Sequence, residues 1–136
     1  ARFEVQVEMY AKTVSIEAKL MLEMFFTQIL PAALRSLGEI GRAHKSAKEG
    51  GFEPQAALEI GKRLQKAIDA SGSLAQELEQ LLHQAETLTG EDLGVHCCDQ
   101  IVPKGLELRN YVDQIERLTD DALWPLPKYR ELLFLV

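Results

Sequence analysis

The stretch Ala57-Leu-Glu-Ile-Gly61-Lys-Arg-Leu64-Gln-Lys-Ala-Ile68-Asp-Ala-Ser71-Gly-Ser-Leu-Ala75-Gln-Glu-Leu78-Glu-Gln-Leu-Leu82-His-Gln-Ala85 decides the fold. Small and apolar residues return every three or four positions, at 57, 61, 64, 68, 71, 75, 78, 82 and 85. That near-heptad spacing belongs to a helix packed against antiparallel neighbours. The pattern predicts a helix from about Pro54 to Leu88, with Pro54 suited to a first helical position. Gly72 interrupts it at a cost of about 1 kcal/mol against alanine. The apolar phase survives, so a local bend is expected rather than a break.

Upstream, Phe3, Val7, Tyr10, Val14, Ala18, Met21, Phe25, Ile29, Ala33, Leu37 and Ile40 keep the same steps and predict a helix from Phe3 to Lys48. Phe3, Val5, Val7 and Met9 also alternate with polar residues, as a half-buried strand would. Helix is favoured because the 3/4 spacing continues without a phase break. Ser15, followed by Glu17, is an alternative cap for a separate helix. Gly50-Gly51-Phe52-Glu53-Pro54 is a stop and restart, with glycine fitting the left-handed helix ending. Thr89 and Asp92 have capping-box spacing and open a third helix. Its inner face reads Leu93, Cys97, Ile101, Leu108, Val112, Ile115, Leu118 and Ala122, and Pro125 and Pro127 end it.

Pro31 and Pro103 fall inside the first and third helices. Each removes one backbone donor and crowds the carbonyl four residues back, at Thr27 and Asp99, for about 3 kcal/mol unless a kink is used. If the first packed segment starts near Ser15, the two kinks come at similar heights, and both helices can curve around the second. The expected fold is all-α: an elongated up-down-up antiparallel bundle with proline-kinked first and third helices and a short C-terminal tail. The helices would each be roughly 45–65 Å long. The 136 residues suffice for a single domain, 1–136, with its own core. A start at Ala1 suggests a mature form or a piece of a longer protein.

The formal charge is −6 and the 15 basic residues are scattered. Nucleic acid and an anionic membrane surface are therefore disfavoured as partners, since both need a concentrated basic face. No apolar run approaches the roughly 20 residues of a membrane span, and the amino end does not look like a signal peptide. Cys97 and Cys98 are adjacent with no third cysteine, which reads as reduced thiols in a cytoplasmic protein.

The sequence offers no convergent catalytic, cofactor-binding or metal-ligating set. His44, His83 and His96 are assigned to different helix ends or surfaces. Glu79 and His83 share a face at i,i+4, but di-metal bundles need several inward carboxylates and Glu-x-x-His repeats. A phosphotransfer module resembles His-x-x-Lys-Gly; around His44 the lysine comes one residue late, at Lys48, and Glu49 follows it. Phosphate-cradling glycine loops and paired-cysteine zinc spacings are absent.

Three features then carry a resemblance. The ending Trp124-Pro125-Leu126-Pro127-Lys128-Tyr129-Arg130-Glu131-Leu132-Leu133-Phe134 resembles the carboxyl terminus of type III glutamine synthetases. Ile16-Glu17-Ala18 leading into Ile29-Leu30-Pro31-Ala32, and the later Ile101-Val102-Pro103, are similar to that family in the same order. The resemblance implies a non-catalytic helical domain that follows a large catalytic region and has a structural or assembly role. Such a parent acts in nitrogen metabolism, ligating ammonia to glutamate with ATP and a divalent metal, Mg or Mn, in a ring-shaped homo-oligomer. Its metal and nucleotide motifs lie upstream, so no site residue carries over to this segment. Partners implied are the upstream catalytic domain and further copies of the parent. The alternatives are a free-standing helical adaptor bundle and a phosphotransfer module acting through His44.

Overall fold

A computed structural model describes residues 2–126. Three helical arms account for most of them. The first is α1 (Arg2–Met24), a π turn (Phe25–Ile29) and α2 (Leu30–Glu49), continuous over 48 residues. That is about 72 Å of helix, close to the span the spacing gives and beyond the roughly 45–65 Å expected. The second is α3 (Gln55–Ala85), and the third is α4 (Gly90–His96), a second π turn (Cys97–Ile101) and α5 (Val102–Leu118). No strand occurs among the described residues.

The arms alternate in direction. Lys104 of α5 meets Glu77 of α3, while His96, earlier on the third arm, meets Leu81, later on the second. Val7 faces Gly94 and Tyr10 faces Cys98, so the first and third arms ascend together. Ile40 lies against Gly61, setting α2 antiparallel to the start of α3. The up-down-up bundle is the observed arrangement.

The turns follow from local chemistry. Gly51 has φ +88°, and the first arm closes with the Phe52 amide donating to the Ala47 carbonyl and the Gly51 amide to the Lys48 carbonyl. Those two bonds form a Schellman ending that only glycine enters without strain. Pro54 stands one place before the helix, in extended conformation. The expected capping box does not form: Thr89 is extended, but its side chain makes no cap hydrogen bond. Gly90, at φ +57°, turns the chain at that point, and the helix starts with the backbone bond from the Leu93 amide to the Thr89 carbonyl.

Each proline is the second residue after a π turn. The Leu30 amide donates to the Phe25 carbonyl and the Val102 amide to the Cys97 carbonyl, each five residues back. Widening the turn relieves the crowding that a proline imposes on the carbonyl four residues before it. The two π turns share one device but not one height. The second π turn stands beside Tyr10, whereas the first begins 15 residues further along the same arm, about 22 Å away. The height match fails because the arms pair through Val7–Gly94 and Tyr10–Cys98, ahead of Ser15.

One core cluster runs through the bundle, built on Phe25, Leu64, Leu78, Ile101, Leu108 and Ile115. Leu64, Ile68, Ser71, Ala75, Leu78, Leu82 and Ala85 are all buried, as the spacing of the second arm requires. Ser71 donates its hydroxyl to the Ile68 carbonyl at 3.0 Å, which satisfies a buried polar group. Helix α3 passes Gly72 without interruption. The first arm departs from expectation at its start: Phe3 is 62% and Tyr10 is 42% exposed, and Ala11 and Leu22 are buried instead. A stretch of this arm reaches a mean hydropathy of 1.2 over 18 residues, so by length and composition alone it could cross a bilayer. Its Leu22, Phe25, Ile29 and Ala33 are packed in the core cluster.

The third arm ends at Leu118, four residues before Ala122, which is exposed. Thr119 is extended, and Asp120 organises a turn: its carboxylate accepts from the Ala122 amide at 2.8 Å and its carbonyl from the Leu123 and Trp124 amides. An aspartate that bonds its own backbone two residues on makes such a turn before any proline is reached. Trp124 is buried in the core cluster. The apolar ending from Leu132 to Phe134, expected to fold back on the bundle or a neighbour, lies outside the described residues.

Candidate functional site

The histidines do not converge. His44 lies near the end of α2, in a groove with Leu37, Ile40, Ala57 and Leu58. The ring Nε2–H of His96 donates to the Leu81 carbonyl at 2.7 Å, tying the third arm to the second. His83 stands 3.4 Å from Glu86. Glu79, which its spacing favours as a partner, lines the same cleft.

That cleft, about 760 Å³, opens between α1 and the end of α3. Lys19, Glu23 and Phe26 line one wall and Glu79, His83 and Glu86 the other. Its His83–Glu86 pair is solvent-exposed, where such pairs contribute little. Among the described residues no group of three His, Cys, Asp or Glu side chains could hold a metal ion.

A second groove, about 460 Å³, collects Arg63 and Lys66 from α3 and Arg117 from α5 around Tyr111 and Gln114. Three cations fall short of the basic face a nucleic-acid backbone needs. Arg63 is already paired with Glu59 at 2.9 Å.

The two cysteines face different surroundings. Cys97 is buried, and loss of solvent pushes its thiol pKa up. Cys98 is exposed and hydrogen-bonds with Tyr10, whose own pKa is raised, first by burial and then by Cys98. Lys104 is held charged by its 2.9 Å bond to Glu77, which raises its pKa. This pair ties α5 to α3.

What the surface does present is apolar. Val5, Met9, Ile16 and Leu20 on α1, and Val95, Val102 and Leu106 on the third arm, are exposed. Steps of four and seven along α1 are visible in the sequence. They are masked there by the longer inward series.

The glutamine synthetase C-terminal domain family matches residues 1–48, which is the first arm up to its penultimate residue. A type-3 glutamine synthetase from Dictyostelium discoideum is 27% identical, aligned over 99% of this chain and 19% of its own length. Glutamine synthetases from Bacteroides fragilis (strain YCH46) and Butyrivibrio fibrisolvens are each 29% identical over 98% of the chain, covering 19% and 20% of their lengths. The chain thus spans about one fifth of the length of these relatives. The chain is thus similar to the glutamine synthetase C-terminal domain family over its first arm, and over nearly its whole length to type-3 and bacterial glutamine synthetases.

Proposed function

We propose that this chain is the helical carboxyl-terminal domain of a larger glutamine synthetase and that its role there is structural. The observation that carries this reading is the end-to-end likeness to about one fifth of each relative. The parent would ligate ammonia to glutamate at the expense of ATP, using Mg or Mn, in a cytoplasmic homo-oligomer. That chemistry would belong to the other four-fifths of the polypeptide. This segment would cover part of the catalytic region, support its assembly, or both.

Two measurements test this. The isolated segment should form no glutamine from glutamate, ammonia and ATP; turnover above background would sink the reading. A parent lacking residues 1–136 should lose folding yield or assembly, and an intact, fully active truncated enzyme would count against it.

The exposed apolar residues also suit a free-standing adaptor bundle that offers a helix face to a protein partner. An upstream reading frame that carries no catalytic region would favour that alternative.

A further inference from the structure

Helix α1 is apolar on two opposite sides. Ala11, Val14, Ala18 and Leu22 enter the core. Val5, Met9, Ile16 and Leu20 point away from it, 54, 65, 56 and 55% exposed. At about 100° per residue these four fall within a sector of about 60°, directly opposite Ala11 and Ala18. Thr13 lies between Met9 and Ile16, and its hydroxyl donates to the Met9 carbonyl at 3.0 Å. Its polar atom is thereby paired with the backbone, and the exposed Lys12 flanks the row on its other side. The result is a seam about 22 Å long. An exposed apolar row on a helix whose opposite side is already buried marks a contact surface.

The family match covers this arm and neither of the others. The relatives extend for roughly four-fifths of their length beyond the part this chain aligns with. Four half-exposed side chains offer no more than a few hundred Å², below the ~800 Å² per partner of a stable complex. A second copy held by this seam alone would dissociate. A partner joined in the same polypeptide needs no such area, because the tether supplies an effective concentration on the order of millimolar.

We propose that the Val5–Met9–Ile16–Leu20 face is the seam by which this domain seats on the catalytic remainder of its own polypeptide. The inference rests on reading the chain as one domain of a larger glutamine synthetase.

Methionine oxidation tests it in the intact full-length protein. Dilute hydrogen peroxide is applied, and the sulfoxide at Met9, Met21 and Met24 is followed by mass spectrometry. Met21 and Met24 are half-buried and serve as internal references. Met9 should oxidise no faster than they do, and Ile16→Glu, which puts a charge into the seam, should speed Met9 at least tenfold. Met9 reacting fastest of the three in the unmodified protein would overturn the proposal. Protection of Met9 that disappears on dilution, in step with loss of oligomer, would assign the seam to a second copy and also overturn it. Unprotected Met9 in a parent that still needs residues 1–136 for assembly removes only the seam. A parent indifferent to losing them removes the domain reading itself.

Discussion

Gly94 of α4 faces Val7 of α1 so closely that a β-carbon at position 94 would lie 3.2 Å from the Val7 Cγ1. The first and third arms approach here because one of them lacks a side chain. Gly94→Ala gains up to about 1 kcal/mol of helix propensity but requires Val7 to yield by a few tenths of an ångström, so its net effect should be near zero. Gly94→Val drives the arms apart and should cost about 1–3 kcal/mol. Adding Val7→Ala should return part of that loss. Urea unfolding of the three variants checks the set, and a Gly94→Val protein as stable as the parent would show that this contact does not constrain the arms.

Two other glycines should respond in opposite directions. Gly72 is inside α3, and a β-carbon added there would meet nothing within 4 Å, so Gly72→Ala should stabilise by about 0.5–1 kcal/mol. Gly51 holds φ +88° in the turn after α2, and Gly51→Ala should destabilise by about 1 kcal/mol or more. Thermal unfolding midpoints should therefore move up for the first and down for the second. Equal shifts would contradict the turn geometry.

Thiol labelling should divide the cysteine pair. Under native conditions an alkylating reagent should modify Cys98 and spare Cys97, which becomes reactive only in denaturant. The raised pKa of Cys97 also has a stability consequence. Its neutral form is favoured in the fold, so its contribution is fully present below the ordinary thiol range of about 8.5. It is lost as pH rises through the higher folded value, because the unfolded chain ionises first. Tyr10 and Lys104 are raised as well and act with the same sign above their own unfolded ranges. Stability should decline on the alkaline side, and Cys97→Ala should flatten the first part of that decline. An unchanged slope in the variant would exclude Cys97 as its source.

Trp124 is buried, yet its indole N–H finds no acceptor among the described residues. Phenylalanine keeps most of the ring and removes the unpaired donor. Trp124→Phe should therefore change stability by no more than about 1 kcal/mol. Trp124→Ala leaves a cavity and should cost about 3–5 kcal/mol. Denaturant midpoints separate the two. A phenylalanine variant as damaged as the alanine one would contradict an unpaired indole N–H.

Much of the bundle is readable along the chain. The Gly50-Gly51 stop, the unbroken run of α3 through Gly72 and the buried series from Leu64 to Ala85 need only local spacing and backbone chemistry. Pro31 and Pro103 announce a disturbance in each outer arm, though not its form as a π turn. The third arm's end is obscured in the sequence because Pro125 and Pro127 are stronger stop signals than Asp120, whose carboxylate in fact makes the turn. The absence of a convergent catalytic set is an expectation from spacing. The apolar seam on α1 does not stand out along the chain, because nothing local separates its four residues from an otherwise apolar helix.

From sequence alone come the all-helical class, the three arms, the inner face of α3 and the likeness to glutamine synthetases. These depend on the period of the helix, on glycine and proline geometry and on residue identity, all local to the chain. Tertiary structure alone decides which side of α1 is core. Phe3 and Tyr10 lie on a stripe as regular as Ala11 and Leu22 do, yet the first pair is exposed and the second buried. A period of 3.6 residues marks that a helix has faces, but only the neighbouring arms determine which face loses its water.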